Sequence, residues 1–189
     1  MVKSIVIGAS YGGMEAIKSL LTGLPPGFKI PVSVVLHIGN NDIHSYLSML
    51  SGKTSFTVKE AEEKEIIKTG FVYFAPPNYH LQMESNFVFS LSTDQKVNFS
   101  RPSIDVLFET AAWACKKELI GILLTGSNSD GAEGIKTIKK YGGITIVENP
   151  ATAFAKTMPA SAIEIEEPSF ILDLKDIPGK IVELVTKTI

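Results

Sequence analysis

The chain has 189 residues, 44% hydrophobic and 20% charged, with 18 Lys and Arg against 20 Asp and Glu for a formal charge of -2. That length suits one well-buried domain and is too short for two of ordinary size; the composition excludes intrinsic disorder. The charge balance gives no general attraction to nucleic acid or to an anionic membrane, so no nucleic-acid partner and no membrane insertion are expected.

In chain order, Val2 to Ile7 is an apolar run closed by Gly8-Ala9-Ser10-Tyr11-Gly12-Gly13. Met14, Ile17, Leu20 and Leu21 then recur at helical spacing, which reads as strand, tight turn, helix. Pro25-Pro26-Gly27 breaks the chain, and Pro31 to Leu36 is a second run, continuously apolar as a strand covered on both faces would be, with His37 at its end. Ile43 to Leu50 reads as a short helix and Phe56 to Lys59 as a strand. Phe71 to Ala75, His80 to Met83 and Phe87 to Leu91 alternate around Pro76-Pro77-Asn78 and Glu84-Ser85-Asn86, which predicts antiparallel hairpins extending an edge of the sheet.

Ile104, Leu107, Phe108, Ala111, Ala112 and Cys115 mark the buried stripe of a helix with Ser103 as N-cap. Ile120 to Leu124 is a further strand, followed by the polar loop Thr125 to Gly131 and a helix through Ile135 and Ile138 to Tyr141, ended by Gly142-Gly143. Ile144 to Val147 is a strand, Pro159 to Ile163 a short helix, Ile171-Leu172 a short strand and Ile177 to Val185 a final helix. This alternation predicts one α/β domain over residues 1–189: a doubly wound, mainly parallel sheet flanked by helices, with an antiparallel hairpin extension near residues 71–91.

Open α/β sheets bind ligands outside the carboxyl ends of their strands, and three residues of catalytic type fall there: Ser10, His37 and Asp130. Gly8-Ala9-Ser10-Tyr11-Gly12 fits Gly-x-Ser-x-Gly, in which a sharp strand-to-helix turn lifts the serine hydroxyl out of the sheet. The helix N-terminus there offers backbone N–H groups to an oxyanion. The plainer reading makes Ser10 an N-cap and the glycines a tight turn. A dinucleotide fingerprint is the other glycine-rich option, but Ser10 stands where that pattern has glycine and His37 where it has an acid.

His37 is either a satisfied structural residue or a base within reach of Ser10. Asp130 is either an N-cap, with Glu133 three residues on, or a carboxylate holding the Nδ1–H of His37. The order Ser, His, Asp differs from that of the α/β-hydrolases. Cys115 lies on an apolar helix stripe, where a packing role is favoured, and it permits no intramolecular disulfide or CxxC pair. Three dispersed histidines and one cysteine give no metal site. Met158 and Phe154 read equally as pocket wall or core. No apolar run approaches the roughly 18 residues of a membrane span, and the single cysteine suits a reducing cytoplasm.

On these stretches the chain resembles the catalytic domain of the chemotaxis protein-glutamate methylesterases, the CheB family, over almost its whole length. The resemblance rests on Ile5 to Gly13, Val34-Val35-Leu36-His37, Val72-Tyr73-Phe74-Ala75-Pro76-Pro77, Arg101 to Phe108, Leu123-Leu124-Thr125-Gly126 with Asp130-Gly131-Ala132, and Met158-Pro159. It implies a serine hydrolase with Ser10, His37 and Asp130 as triad. Its substrate would be methylated glutamate on chemoreceptor-like proteins, with methanol released, glutamine deamidation as a second activity and no cofactor. Tyr11, Gly12, Ser127 and Met158 are the expected oxyanion or substrate-binding positions.

The chain departs from the family pattern at Tyr11 (usually threonine), Leu36 (glutamine), Ser127 (methionine) and Gly39-Asn40-Asn41-Asp42 (a Pro-Pro-Gly-Phe stretch). The expectation is an altered substrate cleft. With the first strand beginning at Val2, no receiver domain is expected, and the protein is expected to be either unregulated in cis or controlled by a separate partner acting in trans. The alternatives are a catalytically silent CheB-like binding module and a nucleotide-binding α/β protein.

Overall fold

A computed structural model describes residues 1–38 and 43–186; the departure at Gly39-Asn40-Asn41-Asp42 lies outside them. Seven strands form one parallel sheet: β1 (Ser4–Ala9), β2 (Val32–Leu36), β3 (Thr57–Glu60), β4 (Phe71–Phe74), β7 (Leu119–Leu123), β8 (Ile144–Glu148) and β9 (Phe170–Leu172). Their spatial order is β3-β4-β2-β1-β7-β8-β9. From β1 the chain adds β2, then the edge strand β3, then β4 between β3 and β2, and crosses back to place β7, β8 and β9 on the other side. The crevice of this sheet therefore lies at the carboxyl ends of β2, β1 and β7.

The strands are apolar throughout because both faces are covered. Ile5, Ile7, Val34 and Ile122 pack under α1 (Gly13–Thr22), α2 (Ile43–Ser51) and α6 (Ile177–Thr186). Val6, Val35 and Leu123 point the other way, under α3 (Ile104–Cys115), α4 (Ala132–Lys140) and α5 (Thr157–Ile165). The period-two alternation of side chains divides the two cores. Among the described residues no helix is long and apolar enough to cross a membrane.

The segment 71–91 refines the expected hairpin extension. β4 pairs in parallel with both β2 and β3 and so belongs inside the main sheet. The antiparallel hairpin is β5 (His80–Met83) with β6 (Phe89–Ser92), a separate two-stranded sheet rather than an edge of the large one. Leu81, Met83 and Phe89 are buried with α3 in the second core. At about 1.5–3 kcal/mol per buried large side chain, this packing supplies what an isolated hairpin lacks. Cys115 lies in the same cluster with its Sγ 3.5 Å from Met83 Sδ, and burial pushes its thiol up to about 11, as a packing residue requires.

Gly8, in the middle of the crevice, allows α3 to approach the sheet. A Cβ there would lie 2.3 Å from Cγ2 of the fully buried Ile104, the first residue of α3. Gly8→Ala should therefore cost about 1–3 kcal/mol, read as a lower urea midpoint. Ile104→Ala combined with it should cost less than the two single losses summed, since the clashing methyl is gone. Strict additivity would show that the contact does not limit the approach.

Candidate active site

Parallel pairing of β1 with β2 matches Ala9 to Leu36, so the next residues, Ser10 and His37, leave the sheet side by side. The His37 N–H donates to the Ala9 carbonyl at 3.0 Å. On the other flank the Ser10 N–H donates at 2.9 Å to the carbonyl of Thr125, just past β7. Ser10, Tyr11, Gly12, His37, Thr125 and Phe154 line one cleft of about 1080 Å³. Gly12 caps α1 with φ +82°, a conformation that disfavours a side chain, and a Cβ there would strike Phe154 at 2.7 Å. The N–H groups of Tyr11 and Gly12 have no acceptor among the described residues, so the start of α1 offers donors to a ligand oxygen.

Asp130 is fully buried behind His37. Its Oδ1 accepts from Ser103 Oγ at 2.8 Å, from the Asp105 N–H at 3.2 Å and from Asn98 Nδ2 at 3.2 Å. Its Oδ2 accepts from the Ile104 N–H at 2.7 Å and lies 3.0 Å from His37 Nε2. Asp130 therefore caps the N-terminus of α3, a helix distant in sequence, while its own helix α4 is capped by Gly131. Burial alone would raise its pKa, but His37, the Ile104 N–H and Ser103 outweigh burial and hold the carboxyl below its ordinary value.

The contact with His37 is made through Nε2, not through the Nδ1 expected from the sequence, because the ring leaves β2 with Nε2 turned inward. His37 Nε2 and Asp130 Oδ2 lie 3.0 Å apart without the alignment of a hydrogen bond. Nδ1 is then the nitrogen left for exchange with Ser10. Among the described residues no hydrogen bond joins Ser10 Oγ to His37.

The remaining sequence candidates separate. Tyr11 and Gly12 border the cleft, Ser127 is exposed on the loop above Asp130, and Met158 is fully buried. The Met158 side chain fills the space beside Gly126, and its N–H donates to the Gly126 carbonyl at 2.9 Å. Its effect on the site is to hold the loop backbone. Of the other histidines, His80 is structural: Nδ1 accepts the Ser103 N–H at 3.2 Å and Nε2 lies 3.0 Å from the Gln95 carbonyl, which the Nε2–H tautomer satisfies. Among the described residues no group of three or more His, Cys, Asp or Glu is placed to hold a metal.

Four contributors escaped the sequence reading. Asn98 Nδ2 bridges Asp105 Oδ2 at 2.7 Å and Asp130 Oδ1 at 3.2 Å. The second buried carboxyl, Asp105, accepts the Gly134 N–H at 2.7 Å, tying α3 to α4. Thr125 donates its hydroxyl to the Tyr11 carbonyl at 2.9 Å and accepts the Ala155 N–H at 2.8 Å. Glu148, buried at the end of β8, accepts the Thr125 N–H at 2.8 Å, and burial raises its pKa. Glu148 alone carried a signal, being an acid just past a buried strand.

Comparison with known proteins places the chain. Residues 5–181 match the model of the CheB methylesterase family. A Leptospira interrogans protein, provisionally named protein-glutamate methylesterase/protein-glutamine glutaminase, is 49% identical over 96% of this chain and 94% of its own. The protein-glutamate methylesterase/protein-glutamine glutaminase of Thermotoga maritima is 37% identical over 97% of this chain, which spans 54% of that protein. The crystal structure of the Thermotoga maritima CheB methylesterase catalytic domain superposes with a TM-score of 0.92, covering 97% of this chain and 99% of that one at 36% identity.

The two buried carboxyls respond oppositely to one environment. Asp105, raised mainly by burial and further by Asp130, is pushed up to about 7 from 3.8. The folded state thus keeps a proton that the unfolded chain releases, and stability falls as pH rises from about 4 to about 7. Asp105→Asn cannot titrate. Urea unfolding at pH 4.5 and 8 should show the variant gaining on the native protein at the higher pH; a pH-independent difference would contradict the assignment.

Proposed function

Since the chain belongs to the CheB methylesterase family, we propose that it hydrolyses methyl esters on glutamate side chains of chemoreceptor-like proteins, with Ser10 as nucleophile, His37 as base and Asp130 as the orienting acid. The observation that carries the assignment is the convergence of these three residues at the carboxyl ends of adjacent strands, with the Asp130 carboxylate 3.0 Å from His37 beside the cleft.

The geometry supports the following sequence of steps. Ser10 Oγ attacks the ester carbonyl while His37 Nδ1 takes its proton. Asp130, ionised because its own pKa is depressed, stabilises the imidazolium through Nε2. The N–H groups of Tyr11 and Gly12 receive the carbonyl oxygen as it gains charge. As the carbon–methoxide bond breaks, His37 returns the proton to the leaving methoxide, which departs as methanol and leaves the glutamyl acyl group on Ser10 Oγ. Water, deprotonated by His37, then releases the carboxylate and restores Ser10. With an amide in place of the ester the same steps release ammonia, the glutaminase activity that the relatives' names carry. No step uses a cofactor. The reading sets the enzyme in the cytoplasm, with a regulator acting in trans on a cleft whose mouth is open among the described residues.

Methanol release from methyl-esterified chemoreceptor fragments should vanish in Ser10→Ala with the fold intact. Asp130→Asn should lower the rate by about three to four orders of magnitude, since the wrong imidazole tautomer is then favoured. Activity within about tenfold of native in either variant would refute the triad.

A further inference from the structure

We propose that Tyr11 and Phe154 form an aromatic jaw beside Ser10 that grips an aliphatic side chain of the protein substrate close to the methylated glutamate, and so selects which methyl esters are cleaved. This inference rests on the reading of Ser10 as an esterase nucleophile and names what its cleft recognises.

The two rings meet edge to face with centroids 5.2 Å apart, yet remain 63% and 72% exposed. Large aromatics left this open contribute little to the core, and both line the cleft that holds Ser10 and His37. Their backbones are nonetheless held firmly. The Thr125 hydroxyl donates to the Tyr11 carbonyl and accepts the N–H of Ala155, the neighbour of Phe154, so one buried oxygen fixes both loops. Phe154 is also seated on Gly12, where any side chain would displace it. A pair ordered before binding loses little entropy when a partner arrives, the property of binding hot spots rich in Tyr and Trp.

Volume and charge define the occupant. About 1080 Å³ is the size of a pocket for a drug-sized molecule, far more than one esterified glutamate side chain fills. The rest must receive neighbouring substrate residues. Of the charged side chains in the lining, Glu15 is paired with Lys18, Glu148 is buried with its pKa raised, and Asp173 sits beside Lys175, so the wall presents little free charge. Two exposed rings on a wall that also carries Met14, Ile38 and Leu174 fit an aliphatic group. On a helical substrate, residues three or four positions from the methylated glutamate lie about 5–6 Å from it, the scale of the jaw itself.

The test compares three substrates: a methyl-esterified helical chemoreceptor fragment, the same fragment with aliphatic residues within one turn of the ester replaced by serine, and p-nitrophenyl acetate. For Phe154→Ala, kcat/KM on the native fragment should fall at least tenfold more than on p-nitrophenyl acetate, chiefly through KM, with Phe154→Leu recovering part of the loss. Tyr11→Thr should show the same bias. The serine-substituted fragment should be poor for the native enzyme and little worse for the variants. Equal losses on fragment and small ester, or no loss on the fragment, would overturn the jaw. A native enzyme that releases no methanol from either fragment would overturn the esterase reading and the jaw with it.

Discussion

The structure is arranged around one buried negative charge. An isolated carboxylate removed from water is among the costliest groups a protein can hold, and Asp130 is acceptable only because the surrounding structure supplies partners for both oxygens. The first turn of α3 gives two backbone N–H groups and the Ser103 hydroxyl, a loop gives the Asn98 amide, and β2 gives His37. Helix direction makes this possible. In a parallel sheet the helices run back against the strands, so the N-terminus of α3, with its partial positive charge, arrives where the loops after β1, β2 and β7 begin. Gly8, by admitting Ile104, sets how closely it arrives.

Much of this layout was legible. Val2 to Ile7, Pro31 to Leu36 and Ile120 to Leu124 read as strands because burial on both faces leaves a continuous apolar run. Ser10 and His37 stand just past two such runs and Asp130 in the loop after the third, the positions that made them candidates. What failed was information held in the third dimension. Phe71 to Phe74 resembled a hairpin arm because Pro76-Pro77-Asn78 reads as a turn; its pairing with β2 and β3 depends on crossovers that no local pattern encodes. Asp130 reads as the cap of the helix it precedes, yet it caps α3, whose first residue lies 26 positions earlier. Asn98 carries no signal at all, since a polar residue on a surface loop is ordinary until its amide is seen between two buried carboxyls.

Those two carboxyls show how neighbours divide a role. Asp105 and Asp130 share the Asn98 amide and repel one another, so both cannot be ionised cheaply. The partner imidazole and the Ile104 N–H favour charge on Asp130, while Asp105, with fewer donors, takes the proton. Divergent pKa values in adjacent acids are a common way to keep one of them charged for chemistry.

Thr125 has a consequence for motion. Its carbonyl, hydroxyl and N–H are bound to Ser10, Tyr11, Ala155 and Glu148, so the turn after β1, the loop after β7 and the loop after β8 meet at one residue with almost no exposed surface. Segments joined in this way open together or not at all. Amide hydrogen exchange in the three segments should be correlated, with a shared opening free energy. The floor of the cleft then behaves as one cooperative unit, and the aromatic pair at its rim is held by the same residue.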